Sequence, residues 1–244
     1  MMKMVFSNLY KLYAYSLFTA TLFVFYPITA LLVLSPKTRK WSTPVFLGWS
    51  YLLSVLFLIF VKKQGAKPDK NPKIIIANHT SYLDIFMMYQ ILPIHNIVFM
   101  GKSEILTYPL IKTYFKHLHI PVDRSDKRKA AQSMLMAKRK LQEGWSIVIF
   151  PEGGIPDHIA PEMAPFKPGA FVMAQKNQVS ILPLSLQSHY KLLSEPQNLK
   201  GNARPGLAKV YCHAEIAPDV LNSNEVEHWM QETRDLIARK VQSE

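Results

Sequence analysis

Hydrophobic positions along the chain fall into two long blocks followed by many short ones. Residues 13–34 read "YAYSLFTATLFVFYPITALLVL" and residues 45–61 read "VFLGWSYLLSVLFLIFV". Each block predicts a helix that, at about 1.5 Å per residue, approaches the hydrocarbon thickness of a bilayer. Two buried helices of a soluble bundle would share this composition, but apolar runs of such length usually mark membrane segments. Beyond Pro68 the blocks shorten to strand length: "KIIIAN", "NIVFM", "IPVD", "WSIVIFP", "SILPLSL" and "LAKVYCHAEI". Helical patterns alternate with most of these, over residues 82–92, 106–118, 127–143, 166–176 and 225–241, and Gly144 is placed to stop the third. This alternation predicts an α/β fold with a mostly parallel central sheet flanked by helices, preceded by an N-terminal two-helix membrane-embedded hairpin. The expected division is a membrane-anchoring segment over residues 1–65 and an α/β domain over residues 66–244.

Charge sharpens the picture of the hairpin. The 244-residue chain carries a formal net charge of +12 and a pI near 9.6, which favours anionic partners. Lys3 and Lys11 flank the first block, Lys37, Arg39 and Lys40 lie between the blocks, and Lys62 and Lys63 follow the second. A hairpin crossing the whole bilayer would concentrate positive charge on one side. Basic residues at both ends and at the connection suit a hairpin that dips into one leaflet, with its lysines and Trp41 at the headgroups. Two full spans are the alternative. The basic run "DKRKAAQ" with "AKRK" lacks any nucleic-acid-binding motif, and a membrane surface accounts for the charge, so no nucleic-acid partner is expected. No metal site is expected either: His117 and His119 form an H-x-H without nearby Cys or Glu. Cys212 is the only cysteine, which excludes an intramolecular disulfide.

The first candidate chemistry sits in "IIIANHTSYLDIF", residues 74–86. His79 and Asp84 are five positions apart, which on a helix of 3.6 residues per turn leaves them about 140° apart around the axis, so they meet only if His79 precedes the helix. Ser81 is a good N-cap, and Asp84 three residues later resembles the acidic member of a capping box. The carboxylate could then fix the imidazole tautomer and leave the other ring nitrogen as a general base. Alternatively Asp84 only caps the helix and His79 bonds backbone. Further along, "VDRSD" places Arg124 at a strand end, "IVIFPEGG" ends a strand with Glu152, Gly153 and Gly154, and "PFKPGAF" sets Lys167 beside a helix start suited to anions.

Taken in order, the His79–Asp84 pair, "PVDR", "FPEGG" and "ILPLSL" resemble the four blocks of the glycerolipid acyltransferase family, and most nearly its 1-acylglycerol-3-phosphate (lysophosphatidate) acyltransferases. The resemblance covers about residues 74–186 and extends to the apolar N-terminal pair. It implies that His79 is the general base and Asp84 its orienting partner, acting on the sn-2 hydroxyl of a lysophospholipid acceptor. The acyl donor it implies is acyl-CoA or acyl carrier protein, with direct transfer and no cofactor. It assigns Arg124 to the acceptor phosphate and Glu152 and Gly153 to the acceptor's surroundings. The expected location is a membrane, with the catalytic domain on its cytoplasmic face. One departure stands out: the third block commonly continues with threonine and arginine, where this chain has Gly154 and Ile155. Arg124, Lys102 in "GKSE" and Lys167 are the residues that could replace that arginine. A different lysolipid acceptor, or a membrane-docked homologue without activity, are the other readings this departure leaves open.

Overall fold

A computed structural model describes residues 2–123, 125–155, 161–195 and 198–243. The chain begins with α1 (Met2–Leu34) and α2 (Ser42–Phe57), joined by a short 3-10 turn. Among the described residues seven strands follow: β1 (Ile59–Gly65), β2 (Ile74–Ala77), β3 (Ile97–Lys102), β4 (Ile120–Val122), β5 (Ser146–Ile149), β6 (Ile181–Leu186) and β7 (Gly206–Cys212). Between and after them run α3 (Leu83–Ile91), α4 (Ile111–His117), α5 (Lys127–Gln142), α6 (Gly169–Asn177), α7 (His189–Leu192), α8 (Pro218–Leu221) and α9 (Val226–Gln242). The strands form one sheet in the order β1-β7-β6-β2-β5-β3-β4, parallel throughout except for the antiparallel pair β6–β7. The expected α/β class with a mostly parallel sheet is what the structure shows.

The central strands read as continuous apolar runs because helices cover both faces of the sheet. Every residue of β2, β5 and β6 is buried. α5 shows how local chemistry sets an element's ends. Asp126 caps it, accepting from the backbone N–H groups of Arg128 and Lys129 at 2.8 and 3.3 Å. Gly144, at φ +87°, ends it in the left-handed region where a side chain is strained.

Three differences from expectation concern the N-terminal region and α4. Residues 59–65, expected to close the anchoring segment, instead form β1, which pairs in parallel with β7 from Ile59–Gly206 to Gly65–Cys212. The break is Leu58, a left-handed residue (φ +53°) whose N–H closes the end of α2. At its far end β1 needs glycine, since a β-carbon on Gly65 would fall 2.1 Å from the Cys212 carbonyl oxygen. Lys11, expected at the headgroups, is buried and donates to the Asn198 carbonyl. The helix expected over residues 106–118 starts only at Ile111, because residues 103–107 form a 3-10 turn and Leu110, at φ +64°, centres a tight turn closed by the Ile111 N–H on the Pro109 carbonyl at 2.7 Å.

The two N-terminal helices differ in environment. α2 lies between α1 and the domain: Trp49 is buried with its ring stacked on Phe18 and Phe25, while Gln90 of α3 donates to Ser50 and Ser54. α1 keeps few buried residues, and Leu9, Leu12, Phe23, Val24 and Leu31 stand exposed along it. Among the described residues α1 is the one helix long and apolar enough to cross a membrane. Its first half is tied to the loop after α7, through Tyr15 to the Ser194 carbonyl at 3.0 Å and Ser7 to the Ala203 N–H at 3.3 Å.

Candidate active site

Three adjacent strands, β6, β2 and β5, point their carboxyl ends at one place, the side of an α/β sheet where ligands bind. β2 exits into Asn78 and His79. Asn78 is fully buried and joins β2 to β6, accepting the Leu186 N–H at 2.8 Å and donating to the Leu186 carbonyl at 3.0 Å. His79 then lies on the turn before α3, as its spacing from Asp84 requires.

The carboxylate of Asp84 organises this turn. Its Oδ2 is 2.8 Å from His79 Nδ1 and accepts the backbone N–H groups of Thr80 and Ser81 at 2.9 and 3.0 Å. Ser81 accepts the Leu83 N–H at 3.1 Å, so acid and hydroxyl cap the helix start reciprocally, an arrangement worth about 1 kcal/mol per cap. Asp84 therefore does not only cap the helix: the same carboxylate also holds the His79 ring. An ionised carboxylate can only accept, so Nδ1 of His79 carries a proton and the neutral tautomer that this bond selects has its lone pair at Nε2. No hydrogen bond occupies Nε2 among the described residues. The ring is otherwise fixed by stacking on Phe150 of the β5 exit, with centroids 4.1 Å apart and planes 16° apart.

Glu152 completes the turn from the β5 side. Its two oxygens accept the backbone N–H groups of His79 at 2.8 Å and Ala164 at 2.9 Å. Burial raises the pKa of this carboxyl, and those two N–H donors only partly offset the effect. Asp84 goes the other way. Its complete burial opposes ionisation, but hydrogen bonds from His189 and then His79 outweigh it and hold the carboxyl well below the ordinary carboxylate range.

His189 is the site residue that sequence reasoning missed. It opens α7 just past the end of β6, and its Nδ1 is 2.6 Å from Asp84 Oδ1. The available signal was "ILPLSLQSH", a histidine three residues beyond a buried strand. Of the expected residues, the structure brings His79, Asp84, Glu152 and Gly153 together, the last at φ +92° in the turn after β5. Lys102, at the end of β3, reaches over Gly154: a β-carbon built there would lie 3.5 Å from the lysine Nζ. Lys167 joins the β5 exit through its backbone N–H to the Pro151 carbonyl at 3.0 Å, and its side chain faces outward. Arg124 lies outside the described residues.

The Acyltransferase family model matches residues 58–187, more than half of the chain and the whole of this site except His189. The chain belongs to the Acyltransferase family. A putative 1-acyl-sn-glycerol-3-phosphate acyltransferase of Caenorhabditis elegans is 31% identical over 197 residues, spanning 78% of this chain and 68% of that protein. The 1-acyl-sn-glycerol-3-phosphate acyltransferase of Chlamydomonas reinhardtii is 28% identical over 160 residues, covering 65% of this chain and 46% of its own length. A chloroplastic one of Arabidopsis thaliana is 28% identical over 84% of this chain and 57% of its own length. The chain thus spans about half the length of the first curated relatives it matches. In fold, it is similar to the crystal structure of the 1-acyl-sn-glycerophosphate (LPA) acyltransferase, PlsC, from Thermotoga maritima. The TM-score is 0.75 at 21% identity, over 98% of this chain and 96% of that one. The resemblance of the four sequence blocks to this family is thereby shown, and within the first block His79 and Asp84 meet in a histidine–aspartate pair that can move a proton.

Proposed function

We propose that this acyltransferase moves a fatty acyl group from acyl-CoA or acyl carrier protein to the sn-2 hydroxyl of 1-acylglycerol 3-phosphate, giving phosphatidate. The observation that carries the reading is the orientation of His79: Nδ1–H bound to an ionised carboxylate, Nε2 unengaged, at the carboxyl end of the sheet. Nε2 takes the hydroxyl proton as the acceptor oxygen attacks the thioester carbonyl. The C–S bond breaks, the new ester forms, and the imidazolium returns the proton to the leaving thiolate. The printed names of the relatives support this acceptor.

Glu152 acts on the backbone in this scheme, fixing the His79 peptide and the segment at Ala164. The acceptor phosphate is held by Lys102, with Arg124 and Lys167 as further cations. β5 alone separates β2 from β3, so the exits that carry His79 and Lys102 are about 10 Å apart, two inter-strand spacings. A lysine stem shortens that gap to the span of a glycerol phosphate. The missing side chain at Gly154 leaves room for the ammonium beside Ile155, the position where the family more often carries arginine. α1 anchors the protein through its exposed apolar face, and the basic residues flanking α1 and α2 favour a catalytic domain on the cytoplasmic side.

The test is transfer from labelled palmitoyl-CoA to lysophosphatidate by the detergent-purified protein, beside lysophosphatidylethanolamine, lysophosphatidylcholine and glycerol 3-phosphate. Phosphatidate formed by the unsubstituted protein and not by His79→Ala supports the proposal. Product from another acceptor alone would assign Gly154 and Ile155 to a different headgroup. No transfer from either thioester donor would refute the activity.

A further inference from the structure

The carboxylate that orients His79 is shared. His189 brings Nδ1 to 2.6 Å from Oδ1 of Asp84, while His79 brings Nδ1 to 2.8 Å from Oδ2. One imidazole thus sits on each oxygen. The two histidines reach the acid from opposite sides because β6 and β2 are neighbours in the sheet, 105 residues apart between His189 and Asp84 in the chain. His189 is fully buried, and its Nε2 has no hydrogen-bond partner among the described residues. Its Nδ1 must donate, because a carboxylate only accepts. A second N–H at Nε2 would be buried with nothing to receive it, so the neutral Nδ1–H form satisfies the ring better than the imidazolium does.

We propose that His189 is a positioning residue, one that locks Asp84 through Oδ1 and draws off part of its negative charge, so that His79 works against a shared carboxylate. This deepens the reading of His79 as the base and rests on it. With the whole charge of Asp84 directed at His79, the imidazolium would be held more tightly and would return its proton to the thiolate less readily. Sharing the carboxylate lowers that hold while keeping the ring oriented. Among the described residues, the titratable groups at this point are His79 from the β2 exit, Asp84 from α3, Glu152 from the β5 exit and His189 from α7. Glu152 contacts the His79 peptide and not its ring.

The full-length protein in detergent, with labelled histidine rings, tests this by NMR titration and by the pH profile of kcat/KM. His189→Asn keeps an N–H donor where Nδ1 stood, and His189→Leu removes it. If the leucine variant does not fold, His189→Gln, whose amide sits one bond further out and misses Oδ1, takes its place. In the leucine variant the midpoint of the His79 ring titration and the acidic limb of kcat/KM should both rise by about one pH unit, a tenfold change in proton affinity. kcat should fall about tenfold, while the asparagine variant stays within about twofold of the original on each measure. Unmoved midpoint and limb in the donor-free variant would overturn the proposal, as would an asparagine variant that shifts as far as the leucine one. If the unsubstituted protein transfers no acyl group, the NMR shift still decides whether His189 governs the pair, and only the transferase reading fails.

Discussion

β2 carries a cluster of charged groups around a buried side chain at each of its ends, Lys73 at one and Asp84 at the other, and the two clusters are built to opposite effect. At its amino end Lys73 is fully buried, 2.5 Å from both Asp69 Oδ1 and Glu215 Oε1, with Ser180 holding the other Glu215 oxygen at 2.8 Å. Beside it, His95 meets Ser146 at 3.2 Å at the start of β5. At the carboxyl end, Asp84 spends its oxygens on two imidazoles and two backbone N–H groups, but the Nε2 of His79 is left over. Burying a charge is tolerable only when it is paired and hydrogen-bonded, and both clusters meet that condition. What separates a clamp from a catalyst is one atom withheld from the network and aimed at the ligand side.

Substitutions at the two ends should therefore separate cleanly. The largest effect is expected from His79→Ala, with a loss of at least about a thousandfold in kcat/KM and a Tm within about 2 °C of the original. Asp84→Asn should cost nearly as much, since an amide can accept at one atom only and no longer imposes the Nδ1–H tautomer. An activity assay beside a thermal melt checks both, and a large fall in Tm for His79→Ala would make that residue part of the clamp. Next in size is Glu215→Ala at the amino end. Removing one partner of a buried lysine should destabilise the fold by about 3 kcal/mol while kcat stays unchanged, read by denaturant unfolding against steady-state rates. Glu152→Gln should lower kcat by about tenfold, because its amide group faces one of two backbone donors that both need an acceptor.

The smallest effect is on pH dependence, where the two ends should yield at different acidities. Burial, with the nearby Lys73 charge, lowers the pKa of His95 from its usual 6.5, so the native state keeps it neutral where the unfolded chain takes up a proton. The stability it contributes is present above pH 6.5 and is lost as the pH falls below that value. Asp84, also depressed in the native state, contributes stability above its usual 3.8 that is lost only as the pH falls further. Burial also lowers the pKa of His119 to about 3 and that of His213 to about 4. Melting curves across this range should therefore show His95→Gln reducing the first decline without abolishing it and leaving the second. A decline below pH 6.5 that the substitution leaves unchanged would assign it wholly to His119 and His213.

Much of this arrangement was legible in residue order, and the rest was hidden for identifiable reasons. Strands β2 to β7 announce themselves as short β-branched runs between breakers, and the Ser81–Asp84 cap told where α3 begins. β1 was hidden because "LIFV" continues an apolar run without a break, and the residue that ends α2 is a leucine in a glycine-like conformation. Leu110 concealed the true start of α4 in the same way. The roles of Asn78 and His189 depend on β6 lying next to β2, a strand order that hydrophobic periodicity does not encode. Lys11 looked like a flanking charge because nothing local reveals that a carbonyl 187 residues away would receive it.

The pairing of β1 with β7 has a consequence in time. β1 is an edge strand whose single neighbour begins at Gly206, about 150 residues later in the chain. At synthesis rates of about 5–20 residues per second, the ribosome needs roughly 8 to 30 seconds to deliver that partner. Through that interval α1 also waits, since its ties to Ser194, Asn198 and Ala203 come from the same late stretch. The first half of α1, made well before these partners, is therefore among the last segments to be locked down. A lipid surface that takes up the apolar face of α1 early would shelter it from aggregation until the sheet closes.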